Sequence, residues 1–548
     1  MAGRSRFHGV CGWRDLRLAE AWALGMGLNR RDCLGWLGAA GAGLAGCQPA
    51  RHEARGGFTA PDPALGHRWR DAAAAAPWLQ RRTGVLVLGG GVAGLAAARS
   101  LMMAGVDDFA LLELEDAVGG NARGGQLGGL ACPLGAHYLP VPSDDAPELQ
   151  AWLEQLGLRQ RIAGRWVIDE HHLCHSPQER LFWNGHWQDG LLPLDGVGAS
   201  TLAQYRRMSR LIAEAGRAQR YAMPALRLPV TDTTRALWAQ SFGQWLDAQG
   251  LTDPALRWYL DYACRDDYGA GAGAVSAWAG IHYFASRHGF PAPGEAGEAE
   301  PLLTWPQGNA WLTEHLAAGL GDRAHTGHGV LRVVPERHGV SVDSLSMPDG
   351  RVTRWQARSV VVALPVFVAQ RVVQPLPPLL AARAKGLTMA PWVVVNLLLD
   401  GPPKDRGGAH PSWDNVVYEG EGLGYVDASH QSLERVTGPR IWTWYRPMGD
   451  EPAARQTLLQ QPWTHWRDRA LAELAAPHPD LPERLVETSV TRYGHAMAVP
   501  APGGLYEGPA HDGRLFFAHA DWAGYSVFEE AFTRGHLAGQ RAAQALRA

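Results

Sequence analysis

Lysine is nearly absent from this 548-residue sequence. Lys385 and Lys404 are its only lysines, and arginine supplies the rest of its 51 basic residues. Acidic residues number 54, so the formal net charge is −3 at pH 7. A protein that binds nucleic acid needs a basic patch to neutralise phosphates. The composition gives a nucleic-acid partner no electrostatic support, and it leaves few candidates for chemistry that needs a lysine.

Cysteine is scarce too, and the spacings typical of metal sites are missing. The six cysteines stand at positions 11, 33, 47, 132, 174 and 264, without a C-x-x-C pair. This pattern argues against a zinc motif and against a disulfide framework. His171, His172 and His175 form a run whose spacing fits no standard zinc finger, so we interpret it as a solvated or core cluster. We therefore expect no metal cofactor.

Long hydrophobic runs are also missing. The apolar N-terminal stretch before Cys47 has about 13 residues, whereas a membrane-spanning helix needs about 20. It follows the pair Arg30 and Arg31 and ends in small residues. This arrangement resembles a twin-arginine export signal with a bacterial lipobox, which implies a periplasmic protein with a lipid anchor at Cys47. The alternative is a Gly/Ala-rich N-terminal helix of a cytoplasmic protein, and Met26 is an alternative start.

The strongest pattern in the sequence begins at Val85–Leu88, a short apolar run typical of a buried parallel strand. Gly89, Gly91 and Gly94 follow it at the G-x-G-x-x-G spacing. The first glycine allows a tight turn, the second allows backbone to approach a pyrophosphate, and the third lets a helix lie close to the strand. Val92 and Ala93 would begin that helix, with free N–H groups facing the phosphates.

A second apolar strand, Phe109–Leu112, delivers Glu113 and then Leu114 about 20 residues after the glycines, where a carboxylate can accept hydrogen bonds from ribose hydroxyls. Strand, glycines, helix, strand and acid occur in the order of a Rossmann-like, NAD(P)-binding-like unit. An ordinary glycine-rich turn would not need this context. The stretch therefore predicts a dinucleotide site.

Two later segments distinguish a flavoprotein from an NAD dehydrogenase. Gly119 and Gly120 come six residues after Glu113, and Leu134-Gly-Ala-His-Tyr follows. This pattern resembles the flavin-containing amine oxidase superfamily, which includes monoamine and polyamine oxidases, protoporphyrinogen oxidases and carotenoid desaturases. The resemblance extends from about Thr83 to the C terminus and implies FAD. We expect it to be bound noncovalently, because no cysteine follows Cys264 to form a cysteinyl link; a histidyl link at His495 is the alternative. The resemblance implies further FAD contacts from Asn121, Arg123, Gly135, Ala136, His137, Val330, Asp521 and Val527.

Some of these positions carry a specific expectation from the resemblance. Asn121 stands where amine oxidases usually have arginine, and Arg123 could supply that charge to the phosphates. The backbone of Val330 would contact the adenine. Asp521 would lie near the ribityl chain, and a C-terminal helix beginning near Val527 would face the phosphates.

The resemblance predicts an α/β fold class with a discontinuous Rossmann-like FAD-binding domain and an α+β, amine-oxidase-like substrate domain. Asn184-Gly185 predicts a hairpin, and residues 240–260 and 391–399 predict a helix and a central strand. The predicted parts are a signal at 1–47, a linker at 48–82, an FAD-binding domain at 83–142, 301–375 and 489–548, and a substrate domain at 143–300 and 376–488.

Candidate catalytic residues also follow from the resemblance. Trp522-Ala-Gly-Tyr525 is similar to a monoamine oxidase segment whose tyrosine is one wall of a cage around the substrate amine. The alternative is that Tyr525 only packs under the flavin. Trp392 or Pro391 falls where amine oxidases have a lysine that holds water on the flavin. His137 could exchange a proton near neutral pH, although we favour a hydrogen bond to backbone.

Three functional hypotheses remain open at this point. The first is an FAD-dependent oxidoreductase that oxidises an amine or polyamine C–N bond. The second is an enzyme that oxidises a C–C bond in an isoprenoid- or porphyrinogen-like substrate, as the missing lysine favours. The third is a flavin-binding protein without turnover. In the first two, a small molecule is the substrate, and the electron acceptor is O2 or a membrane or periplasmic carrier.

Overall fold

The computed structural model of the protein describes residues 55–72, 76–295, 301–430 and 437–547. They belong to one compact unit, Ala54–Ala548. The predicted signal, with Arg30, Arg31 and Cys47, lies outside the described residues. Within the described ranges, no helix is long and apolar enough to cross a membrane.

Strands contribute two large sheets and several hairpins. The described strands are β1 (Arg55–Phe58), β2 (Leu79–Leu88), β3 (Phe109–Leu112), β4 (Gly124–Leu127), β5 (Leu130–Pro133), β6 (Tyr138–Pro140), β7 (Arg159–Ile162), β8 (Arg165–Ile168), β9 (Glu179–Trp183), β10 (His186–Asp189), β11 (Leu302–Thr304), β12 (Ala324–His325), β13 (His328–Glu336), β14 (Gly339–Ser346), β15 (Val352–Val362), β16 (Thr388–Leu399), β17 (Asp414–Val417), β18 (Tyr425–Asp427), β19 (Arg440–Pro447), β20 (Leu485–Val499), β21 (His511–Asp512) and β22 (Leu515–Phe517).

Helices lie between and against these sheets. The described α-helices are α1 (Pro63–Asp71), α2 (Val92–Met103), α3 (Pro147–Gln155), α4 (Ala199–Ala218), α5 (Asp232–Trp238), α6 (Phe242–Ala248), α7 (Pro254–Tyr268), α8 (Ala277–Ala285), α9 (Ala310–Ala317), α10 (Val366–Val372), α11 (Pro378–Lys385), α12 (Ala454–Gln460), α13 (Trp463–Leu474), α14 (Leu481–Arg484) and α15 (Phe528–Arg547).

Sheet I has the strand order β12-β3-β2-β15-β14-β13, with β22 paired to the C-terminal half of β15. Its centre is parallel, because β2 pairs in parallel with both β3 and β15. Val85–Leu88 is fully buried there, as a parallel strand covered on both faces requires. The predicted α/β class is confirmed.

The long C-terminal helix α15 packs on α2 along one face of sheet I. Gly535 and Gly539 permit this approach, because a Cβ atom on either would overlap backbone carbonyl oxygens of Ala93 and Ala97. The helix therefore packs against α2, the helix that follows the glycine-rich turn.

Sheet II has the order β1-β20-β16-β19-β18-β17-β9-β10. Its long central strand β16 is buried from Ala390 to Leu399, as residues 391–399 predict. Residues 489–499, which the sequence analysis assigns to the cofactor domain, lie in β20 and pair with β16. The predicted linker likewise contains structure, because β1 pairs in parallel with β20 at the edge of this sheet.

Two local predictions have different outcomes. The Asn184–Gly185 hairpin is confirmed: β9 and β10 pair around it, and both turn residues have positive φ angles, 51° and 82°. The single helix over residues 240–260 is wrong. Gly250 has φ 66°, which ends α6, and Asp253 caps a new helix by accepting hydrogen bonds from Ala255 and Leu256.

Candidate functional site

The glycine-rich turn between β2 and α2 has the geometry of a phosphate cradle. Gly89 has φ +97°, and a Cβ on Gly94 would overlap the Gly89 carbonyl oxygen, so both positions require glycine. A Cβ on Gly91 would have only the Cα of Gly120 nearby, at 3.9 Å. Space therefore lies in front of Gly91, where Val92 and Ala93 begin α2 and present its free N–H groups.

Glu113 follows β3 and stands beside this turn. Its carboxylate accepts hydrogen bonds from Gly90 N at 2.7 Å and from Glu115 N at 2.9 Å. Burial raises the pKa of Glu113, and these two N–H donors work in the opposite direction. The side chain is thus fixed by local backbone, next to Leu114, at the place where the resemblance expects a ribose.

Gly119 and Gly120 close the other side of the cradle. Gly119 N donates to Gly90 O at 2.8 Å, and a bridge pairs Gly91 with Gly119. Arg123 lies next to this pair, bound to Asp116 at 2.9 Å. Its buried Nη1 atom lies 3.7 Å from a carboxylate oxygen of Glu115 and has no hydrogen-bond partner in the described structure. An open cradle beside an unsatisfied guanidinium N–H fits a dinucleotide pyrophosphate.

The side chain of Asn121 binds backbone of the protein and adds no charge to the cradle. Its Nδ2 donates to Ala496 O at 2.6 Å, and its backbone oxygen accepts from Ala136 N at 2.8 Å. A Cβ on Gly135 would overlap that oxygen. Asn121 therefore joins the cradle to β20 and to the Gly135–His137 segment.

The backbone of Val330 already has one partner in the structure. Its carbonyl oxygen accepts a hydrogen bond from Trp69 Nε1 at 2.7 Å, and the indole lies against Gly329 close to Leu114. Trp69 lies within residues 48–82, for which the sequence predicts only a linker. Asp62 followed by Pro63 is an N-cap signature for α1 that could have revealed it.

The C-terminal candidates lie at the end of sheet I. Asp521 is fully buried and accepts from Val366 N at 2.9 Å through Oδ2, while its Oδ1 lacks a hydrogen-bond partner in the described structure. His519 lies 3.1 Å from Oδ1 and is the main cause that lowers the pKa of Asp521, against the effect of burial. Val527 directly precedes α15.

Tyr525 and Trp392 are more buried than we expect for side chains that face a substrate. Tyr525 is completely buried; its hydroxyl accepts from Ala225 N at 3.2 Å and donates to Glu530 at 3.3 Å. Trp392 is 9% exposed and meets Tyr445 edge-on, with ring centroids 6.5 Å apart. The catalytic roles of both remain predictions.

A cavity of about 340 Å³ lies between the segment His137–Tyr138 and strands β17–β19 of sheet II. His137 stacks on Tyr445 at its edge, with ring centroids 4.3 Å apart. Burial lowers the pKa of His137 to about 3, so the imidazole is neutral at physiological pH. The other Phe, Tyr and Trp residues that line the cavity are Tyr138, Tyr259, Tyr262, Tyr283, Phe290, Trp413 and Tyr425.

Acidic side chains dominate the charge of this cavity. Four carboxyl groups line it, from Glu179, Asp189, Asp266 and Asp414. Arg287 also lines it, but this guanidinium is paired with buried Asp267 at 2.7 Å. Burial and then Asp267 raise the pKa of Asp266 to about 7. Burial, Asp266 and Glu179 raise the pKa of Asp414 well above its usual range.

None of these four acids is among the residues predicted from the sequence. Asp266 lies on α7 and Asp414 on β17, almost 150 residues apart, and neither belongs to a local motif. Within the described residues, no group of three metal-binding side chains is arranged to hold an ion.

Known proteins resemble this chain both in sequence and in fold. The sequence model of the family described as flavin containing amine oxidoreductase matches residues 92–546. Coproporphyrinogen III oxidase from Mycobacterium bovis is 28% identical over 384 residues, covering 67% of this chain and 77% of that relative. Putrescine oxidase from Kocuria rosea is 31% identical over 147 residues, covering 26% of this chain and 28% of that relative.

Solved structures show the same fold. A double mutant of putrescine oxidase superposes with a TM-score of 0.63 at 19% identity, covering 86% of this chain and all of the other. Cyclohexylamine oxidase from Brevibacterium oxydans superposes with a TM-score of 0.62 at 17% identity, covering 85% and 100%. The chain belongs to the flavin-containing amine oxidoreductase family and is an FAD-dependent oxidoreductase.

Proposed function

We propose that this enzyme oxidises the C–N bond of a small amine or diamine, with FAD bound noncovalently. The observation that carries the proposal is the cavity beside His137, where aromatic walls surround an excess of carboxyl groups. Aromatic faces and carboxylates both attract an ammonium group. Putrescine oxidase and cyclohexylamine oxidase, whose fold the chain shares, act on amines by name.

The carboxyl groups of the cavity favour a cationic ligand, because a cation offsets the repulsion between neighbouring carboxylates. Burial and neighbouring carboxyl groups raise both pKa values: Asp267 acts on Asp266, and Asp266 and Glu179 act on Asp414. An ammonium placed between them would compensate their charge and lower both pKa values. Neutral His137 adds no repulsion. The cavity thus binds the cation, and the ionised carboxylate of Asp266 can take the proton that the ammonium must lose.

FAD, when bound, accepts the hydride equivalent from the carbon next to nitrogen. The protein's part is to hold that carbon in place and to exclude water. Gly91, Gly120 and Arg123 would hold the pyrophosphate, and Glu113 the ribose. His137, which stacks on Tyr445, would lie near the flavin, as the resemblance of the Gly135–His137 segment implies.

Anaerobic titration of the purified enzyme with putrescine, cyclohexylamine and other amines tests the proposal. We expect at least one amine to bleach the visible flavin absorbance. Asp266→Asn should raise the KM of that amine by roughly tenfold or more, because a charged hydrogen bond is lost. Asp195→Asn is a matched control, since Asp195 pairs with His186 at the surface. If no amine reduces the flavin, the proposal fails.

A second candidate is oxidation of C–C bonds in a porphyrinogen. The 384-residue match to coproporphyrinogen III oxidase and the tryptophan at position 392 favour it. The acidic cavity argues against a substrate that itself carries carboxylates. The same anaerobic titration with coproporphyrinogen decides between amine oxidation and porphyrinogen oxidation. Flavin reduction by the porphyrinogen and by none of the amines would select the porphyrinogen.

We also propose that the twin-arginine route exports the protein and that a lipid anchors it at Cys47 on the periplasmic face, where O2 or a membrane carrier reoxidises the flavin. Replacement of Arg30 and Arg31 by lysine should leave the protein in the cytoplasm. Cys47→Ser should release exported protein from the membrane fraction. Unchanged export of the double-lysine variant would contradict the route.

A further inference from the structure

The hairpin of β7 and β8 stands apart from both large sheets. Its strands pair only with each other, from Arg159 opposite Ile168 to Ile162 opposite Arg165. Leu158 and Ile168 fasten its base to the core beside sheet I. The seven residues 161–167 between them are all exposed. An isolated two-stranded hairpin is marginally stable in water, so a second surface would stabilise this one.

Large apolar side chains are concentrated at the tip of this hairpin. Ile162 is 56% exposed, Trp166 is 46% exposed and Val167 is 42% exposed. Single exposed apolar residues are ordinary, but here three lie within six residues. The strand register places Trp166 on one face of the hairpin and Ile162 and Val167 on the other, so both faces of the tip expose apolar surface.

Arginines surround this patch. Arg159 lies over the Trp166 ring at 3.9 Å and Arg161 at 5.8 Å, both measured to the ring centroid. Arg159 pairs with Glu154 at 3.1 Å. Arg161 and Arg165 have no ion pair among the residues that the structure describes, and the hairpin itself contains no acidic residue. The exposed half therefore carries uncompensated positive charge on a protein whose net charge is negative.

We propose that this hairpin docks the enzyme on a bilayer that contains anionic phospholipids. Tryptophan prefers the headgroup level of a membrane, where its ring is buried and its N–H meets water. Ile162 and Val167, on the opposite face of the hairpin from Trp166, would enter the acyl boundary if the tip inserts between lipids. Arg161 and Arg165 would bind lipid phosphates through charge-assisted hydrogen bonds. The combination of an exposed apolar tip and two guanidinium groups without an ion pair fits an anionic lipid surface, which offers both phosphates and an acyl boundary.

Flotation of the full chain with phospholipid vesicles tests the docking surface. The protein carries Cys47→Ser in every arm, so that no attached lipid contributes. We expect binding to vesicles of phosphatidylcholine with phosphatidylglycerol, weakening as salt rises, and little binding to phosphatidylcholine alone. Arg161→Gln with Arg165→Gln should lower the affinity about 25-fold, at about fivefold per arginine. Ile162→Ser with Trp166→Ser should lower it by about tenfold or more.

A matched surface pair serves as the control. Trp78 is 72% exposed and Arg351 lies over its ring at 4.9 Å, so Trp78→Ser with Arg351→Gln removes the same groups elsewhere. We expect unchanged vesicle binding from this control. Equal binding by wild-type and hairpin variants would overturn the proposal. So would loss of binding in the control variant, or self-association that vanishes with Trp166→Ser while vesicle binding persists.

Discussion

Gly91 and Gly94 lie on the same turn but differ in what surrounds them. Gly94 faces the Gly89 carbonyl, so even one methyl group would force the strand and helix apart. Gly91 has a φ of −74°, which any residue adopts, and faces open space. The fold thus requires glycine at position 94, whereas only a bound pyrophosphate requires glycine at position 91.

This difference predicts separate effects of the same substitution. Gly91→Ala should leave the thermal unfolding of the cofactor-free protein unchanged but lower FAD affinity about tenfold or more, because the methyl group displaces a phosphate from the helix N–H groups. Gly94→Ala should lower stability itself. Flavin absorbance and calorimetry measure the two quantities. A Gly91→Ala protein that binds FAD like wild type would contradict our assignment of the cradle.

Asp266 should impose a pH dependence on amine turnover. Burial raises the pKa of this carboxyl from 3.8 to about 7, so it becomes ionised and attractive to an ammonium only as pH rises through about 7. We expect kcat/KM for the amine to rise through this range, and Asp266→Asn to remove that rise. The rate profile of both proteins checks this, and an identical profile would contradict a role for Asp266.

The same carboxyl has a linked effect on stability. Between about pH 4 and 7 the folded state keeps a proton that the unfolded state has lost, so its contribution to stability falls as pH rises. Asp266→Asn should therefore gain stability relative to wild type as pH rises from 4 to 7. Urea unfolding at both ends of this window gives the difference.

At the scale of elements, the contact between α2 and α15 depends on glycines. Gly535→Ala should destabilise the protein by about 1–3 kcal/mol, because the methyl group meets the Ala93 carbonyl and must push the helices apart. Gly216→Ala in α4 is the matched control, since no atom lies near its Cβ position. That change should stabilise by about 0.5–1 kcal/mol. Denaturant unfolding should give a lower free energy of unfolding than the wild type for Gly535→Ala and a higher one for Gly216→Ala.

At the scale of the molecule, hydrogen bonds tie the cofactor segments to sheet II. Asn121 binds Ala496, Tyr445 donates to Gly135 O at 3.1 Å, and Tyr493 donates to Leu134 O at 3.0 Å. We therefore expect one cooperative thermal transition for residues 54–548 rather than one for each sheet. Excess FAD should raise its midpoint, by the equivalent of about 2.7 kcal/mol at 100 times Kd. Two calorimetric transitions in the FAD-loaded protein would contradict this coupling.

The sequence by itself determined the parts of the protein that depend on neighbours along the chain. The strand, glycines, helix and Glu113 of the cradle lie within one local run, so spacing alone predicts their geometry. The Asn184–Gly185 turn and the buried strand β16 follow local rules in the same way. Family membership was also readable, because its motifs are contiguous.

Only the tertiary structure decided which distant residues share a cavity. Asp266 and Asp414 meet because α7 packs against sheet II, and their raised pKa values come from burial that no local pattern encodes. The fold also buried Tyr525 against Ala225 and Glu530, and it brought Trp69 of the expected linker onto Val330. Strand pairings and helix packing are long-range contacts, so the substrate cavity depends on the folded chain, whereas the cofactor cradle depends mainly on sequence.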